Sequence, residues 1–202
     1  MRFAAKDFWS SIITGFVTGA IAWKIADFLE VQRIGGFSFA WLTVLVPVCW
    51  IIGVNFGYFL GQKIAFFNQF GKFVAVGFTN AAVDFGILYL LIAFSGVASG
   101  YYYAAFKALS FLIAALHSYL WNKFWVFDAT ATGQVGGELT KFFAVSVSAA
   151  IINVLVASGV VNILGPQLGL SHEAWAGIGA AIGSATALAV SFVGFRVIVF
   201  KK

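Results

Sequence analysis

Two strongly polar side chains, Asn80 and Asp84, interrupt the apolar run from Phe73 to Ser95. With Gly77 they fall within about 60° of one another when successive residues turn by about 100°. A second apolar run, 102 to 126, gathers Lys107, Ser110, His117, Ser118, Trp121 and Asn122 on an arc of about 140°. Leu109, Leu112, Ile113 and Leu116 lie outside that arc, so the two polar faces are expected to meet. At about 1.5 Å per residue, Asp84 lies about 16 Å and Lys107 about 8 Å from the same end of the pair, within reach of a flexible lysine stem. A charge in hydrocarbon costs at least about 3 kcal/mol unless it is paired or hydrated. Two readings follow: an ion pair that fixes helix register, or a lining for a polar solute. His117 is expected to donate to a polar neighbour rather than relay protons.

Cations close the apolar runs. Lys72-Phe73-Val74-Ala75-Val76 matches Lys141-Phe142-Phe143-Ala144-Val145, and SYLWNKFWVF at 118 to 127 matches SFVGFRVIVF at 191 to 200. Lys123 and Arg196 each precede a closing Phe by the same spacing. Cations about one turn inside an interface can hold a lipid phosphate while Trp121, Trp125 and Phe127 meet acyl chains, or can serve only as topology signals. The duplication predicts two helix pairs, about 70–127 and 139–200, in parallel orientation. It sets Asn153 opposite Asp84, Ala149 opposite Asn80, Ala180 opposite Lys107 and Val190 opposite His117, so most of the polar set belongs to one copy.

These residues need helices that cross a bilayer. The chain has 202 residues, 62% hydrophobic and 9% charged, with mean hydropathy +0.99; a soluble domain carries roughly 25% charged residues. Apolar runs at about 8–29, 38–60, 73–95, 102–126, 141–164 and 173–199 predict an all-α integral membrane protein with about six transmembrane helices. The net charge of +5 would suggest nucleic acid in a soluble chain, but here the cations flank apolar runs and set orientation. Arg2, Lys6, Lys63, Lys72, Lys123, Lys141, Arg196, Lys201 and Lys202 share one side against Lys24, Arg33 and Lys107, which predicts that both termini are cytoplasmic. Ala20-Ile21-Ala22 resembles a cleavage site, but a second apolar span follows at once and Asp7 dilutes the basic start. Rows of small residues (Gly15 and Gly19; Gly53, Gly57 and Gly61; Gly179, Gly183 and Ala187) predict close helix packing.

Walker A, HExxH and GxSxG motifs are absent, and the two histidines, His117 and His172, lie far apart. A catalytic role, a metal and a cofactor are therefore not expected, and the single Cys49 forms no intrachain disulfide.

FGKFVAVGFTNAAVDF at 70–85, ALHSYLWNKFWVF at 115–127, LTKFFAVSVSAAIIN at 139–153 and SFVGFRVIVF at 191–200 resemble the GtrA-like family of small membrane proteins. The resemblance covers about 68–200 and makes residues 1–67 a two-helix N-terminal extension. It implies a four-helix module of cell-surface polysaccharide synthesis that moves polyprenyl-phosphate-linked sugars across the cytoplasmic membrane. By position it carries over Gly77, Asn80, Asp84, Ser118, Asn122, Lys123, Lys141, Asn153, Ser191 and Arg196. Together with the duplicated cations, it implies a phosphate site of Lys72, Lys123, Lys141 and Arg196, and a sugar-lining set of Asn80, Asp84, Lys107, His117, Ser118, Asn122, Asn153 and Ser191. The glycosyltransferase that makes the donor is expected to be a separate partner, with a homo-oligomer as a further candidate assembly. The competing readings are a non-catalytic subunit that docks such an enzyme and a proton-coupled small-solute exporter using Asp84. The uneven loop charge disfavours the dual-topology form of the last.

Overall fold

The computed structural model describes residues 3–97, 100–129, 135–167, 169 and 172–200. The long helices among the described residues are α1 (Ala5–Phe28), α2 (Leu42–Gly61), α3 (Phe67–Ser95), α4 (Gly100–Trp121), α5 (Val135–Ser158) and α6 (His172–Gly194). No strand occurs among the described residues. Three segments there, Ala5–Phe28, Phe39–Gly61 and Phe67–Ser95, are long and apolar enough to cross a membrane. The protein is an all-α membrane protein. α3 begins six residues before its expected start, with Asn68 and Gln69 in its first turn. Asn68 is held there by donating from Nδ2 to the Gly61 carbonyl at 3.4 Å.

The helices form two compact units, residues 1–128 and 129–202. In the first, α1, α2, α3 and α4 pack together. Small residues decide how closely. A Cβ on Gly15 would lie 2.5 Å from the Pro47 Cα, and one on Gly19 would strike the Leu42 carbonyl, so α1 rests on the backbone of α2. Gly57 approaches Gly71 and the Phe67 carbonyl in the same way, bringing α2 against α3. The expected row is not uniform, since a Cβ on Gly53 would meet nothing within 4 Å. Such approach brings backbones into dispersion contact where the bilayer supplies no hydrophobic driving force between helices.

In the second unit α5 packs on α6. Phe142 stacks on Phe195 with centroids 4.4 Å apart and planes 10° from parallel, and Gly194 makes room for Val145. Both α4 and α6 end in a π-helical turn, Asn122–Val126 and Phe195–Val199. Each is closed by a Phe amide: Phe127 donates to the Asn122 carbonyl at 2.9 Å and Phe200 to the Phe195 carbonyl at 2.8 Å.

Candidate functional site

The first turn of α1, the last turn of α2, the start of α3 and the π-turn after α4 converge at one end of the first unit. Asp7 sits there, 3% exposed. One carboxylate oxygen accepts from the Ala4 amide at 3.0 Å and the Tyr58 hydroxyl at 2.9 Å. The other accepts from Trp125 Nε1 at 3.0 Å and pairs with Lys72 Nζ at 3.1 Å. The local cause is ordinary helix chemistry: an acid three residues after the N-cap satisfies a free amide and faces the positive end of the dipole. The tertiary cause is that an ionised carboxylate removed from water needs a cation and full hydrogen bonding. Lys72, 9% exposed, also donates to the Trp125 carbonyl at 3.4 Å and lies 5.5 Å from the Tyr58 ring centre. Its charge, expected at a lipid phosphate, is therefore met inside the protein.

Sequence reading missed this cluster. The signal was a lone acid at the start of an apolar span, which at that depth must find a cation.

Further along α3, Thr79 and Thr18 of α1 bring their hydroxyl oxygens within 3.0 Å. On the face toward α4, Ser110 Oγ donates to Asp84 Oδ1 at 2.6 Å. The expected partner of Asp84 was Lys107; its side chain lies outside the described residues. Two crossings, Lys72 with Trp125 and Asp84 with Ser110, fix the antiparallel register of the pair. Asn80 thereby falls level with the turn that carries His117. Ser118 is buried and accepts from Asn122 Nδ2 at its carbonyl, 2.8 Å, and its hydroxyl, 3.2 Å. Three polar atoms of this set are buried without a hydrogen-bond partner: Asn80 Oδ1, His117 Nδ1 and Asn122 Oδ1.

The four cations expected at the phosphate differ sharply in exposure. Lys123 is 5% exposed and donates to the Tyr119 hydroxyl at 3.3 Å. Arg196, at the equivalent place in the second π-turn, is exposed, and so is Lys141, the match of Lys72. Lys141 and Arg196 each adjoin one ring of the Phe142–Phe195 stack, so both cations stand at one level of the second unit. Asn153 and Ser191 are half-buried in that unit, with Ser191 Oγ donating to the Leu188 carbonyl at 3.0 Å. No cluster of three His, Cys, Asp or Glu suited to a metal occurs among the described residues.

Long apolar helices with hydrogen-bonding groups held between them define a multi-pass membrane protein whose polar interior is its distinctive feature. Residues 72–200, more than half of the chain, match the family model described as GtrA/DPMS, transmembrane domain, and the chain belongs to that family. It is also similar to a Bacillus subtilis (strain 168) protein described as the uncharacterized membrane protein YngA, 29% identical over 97 residues. That stretch spans 48% of this chain and 60% of the relative.

Proposed function

We propose that the protein binds polyprenyl-phosphate-linked sugars and moves them across the cytoplasmic membrane, with both termini on the cytoplasmic side. The observation that carries this reading is the unmet hydrogen-bonding capacity of Asn80, His117 and Asn122, distributed along α3, α4 and the π-turn inside the segment that matches the GtrA/DPMS domain. A buried polar atom without a partner costs about 1–3 kcal/mol. Two of these atoms are amide oxygens, so the set favours a ligand rich in hydroxyl donors, which a sugar is and a hydrocarbon is not. Asn153 and Ser191, the other residues expected at the lining, belong to the second unit.

The phosphate is assigned to Lys141 and Arg196, exposed at one level beside the Phe142–Phe195 stack. Arg offers a planar fork for phosphate oxygens and Lys a mobile point charge. Of the four cations expected there, Lys72 faces Asp7 and Lys123 is buried against Tyr119. The matching π-turns of α4 and α6 support a duplicated scaffold. On that scaffold residues 1–67 are an extension of the module, although α1 and α2 pack with α3 and α4. The chain is read as a carrier without catalytic chemistry, supplied by a separate glycosyltransferase.

Native mass spectrometry of the gently extracted full chain tests the proposal. A retained polyprenyl phosphate, with or without its sugar, is expected; retention of bulk phospholipid alone argues against it.

A further inference from the structure

The two copies of the repeat begin on equivalent lysines in nearly identical surroundings, Lys72-Phe73-Val74-Ala75-Val76 and Lys141-Phe142-Phe143-Ala144-Val145. One is buried and the other exposed. The difference comes from outside the repeat. Asp7 of α1 and Tyr58 of α2 both belong to the segment before residue 72, where the family match starts, and both close over Lys72. Lys72 and Trp125, by contrast, lie inside the matched segment. Without the carboxylate, Lys72 Nζ and Trp125 Nε1 would face the place of one oxygen and the Tyr58 hydroxyl the place of the other, one cation and two neutral donors around a carboxylate-sized position, the donor set of an oxyanion site.

We infer that Asp7 is a tethered counter-anion which fills the oxyanion site of the first repeat, so that an anionic lipid headgroup is engaged at the second repeat alone. The N-terminal helix pair is thus a specificity element. It makes a duplicated, two-cation scaffold electrostatically one-sided, and Asp7 acts as a positioning residue through Lys72. A second contact fastens the same end: Lys6 Nζ meets the Asp128 carboxylate at 2.7 Å, although both side chains are more than half exposed and the bridge contributes little by itself. The tether has a geometric basis as well. Asp7 is fixed by the Ala4 amide in the first turn of α1, and α1 is seated on α2 through Gly15 and Gly19. A phosphate from solution or from the bilayer would have to displace a carboxylate that is already in place without any cost in association entropy.

The inference rests on the reading that rim cations engage phosphate. Its test uses the purified full chain in detergent, farnesyl phosphate as the probe, farnesol as the uncharged control, and acetylation by an N-hydroxysuccinimide ester as a report on each lysine. In the wild type, Lys72 should be acetylated at least about tenfold more slowly than Lys141, as expected for a buried, ion-paired amine. Asp7→Ala should release Lys72 to the reagent and tighten farnesyl phosphate binding about fivefold, the contribution of one added cation, with no change for farnesol. Adding Lys72→Met should remove the gain. If Asp7→Ala is not recovered folded, Asp7→Asn, which keeps a carbonyl acceptor for Tyr58 or Trp125, carries the same comparison. Equal reactivity of Lys72 and Lys141 in the wild type, or a folded variant that gains no affinity while the wild type binds, overturns the inference and leaves the Lys141–Arg196 assignment standing. Binding gained by the variant and absent from the wild type supports Asp7 as the counter-anion at the first site and overturns engagement at Lys141 and Arg196.

Discussion

Replacing Asp7 by Asn removes one charge from a cluster that joins all four helices of the first unit. The carboxylate receives the Ala4 amide, the Tyr58 hydroxyl, Trp125 Nε1 and Lys72 Nζ. Asn is of the same size and its carbonyl oxygen can keep one pair of these donors, but its amide nitrogen then faces the other pair. Lys72, with 11% of its side chain exposed, is left without a counter-charge. Breaking a buried pair in this way costs about 3–5 kcal/mol. Lys72→Met should cost less, about 2 kcal/mol, because Asp7 retains three neutral donors and one helix dipole. If the pair is coupled, the double variant falls short of the sum of the single effects by about 2 kcal/mol. Equilibrium unfolding in mixed detergent micelles, followed by tryptophan fluorescence, measures all three. Single effects that add to within about 0.5 kcal/mol would refute the reasoning, since independent sites add to that precision.

The glycine contacts make a sharper pair of tests. Gly15→Ala should destabilise by about 1–3 kcal/mol, because its Cβ would meet the Pro47 backbone, whereas Gly53→Ala should be neutral or gain up to about 1 kcal/mol in the same unfolding assay. Ser110→Ala removes the 2.6 Å donor to Asp84 and should cost about 1.5–3 kcal/mol, while Ser110→Thr, which keeps the hydroxyl, should recover part of it. For topology, in a background without Cys49, a cysteine at Arg33 or Gln167 should react with an impermeant maleimide from outside intact cells and one at Lys63 should not; the reverse pattern would invert the proposed orientation.

Much of the helical frame was legible because the apolar runs are long and the charges scarce, so hydropathy alone separates span from loop. The α3–α4 polar face was legible too: Ser110 lies on the expected arc, and it is Ser110 that reaches Asp84. What could not be read was which cations would be buried. Lys72 and Lys141 stand in almost the same local sequence, and helix propensity, periodicity and hydropathy are blind to the difference between them. Burial at Lys72 is imposed by Asp7 and Tyr58, which are remote in sequence and arrive only because α1 and α2 pack at that end. Lys123 and Arg196 repeat the lesson inside the two π-turns, one buried and one exposed at equivalent positions. The unpaired Asn122 oxygen could not be foreseen either, since it depends on the amide nitrogen turning back to Ser118 one turn earlier.

The proposal that the exposed cations Lys141 and Arg196 hold the phosphate of a polyprenyl-linked sugar stands or falls on a titration of wild type and the Lys141→Gln/Arg196→Gln double variant with farnesyl phosphate in detergent. Two cations at about 1 kcal/mol each predict that the double variant binds about thirtyfold more weakly, while farnesol binds both proteins alike. Equal affinity of the two proteins for farnesyl phosphate would contradict the account.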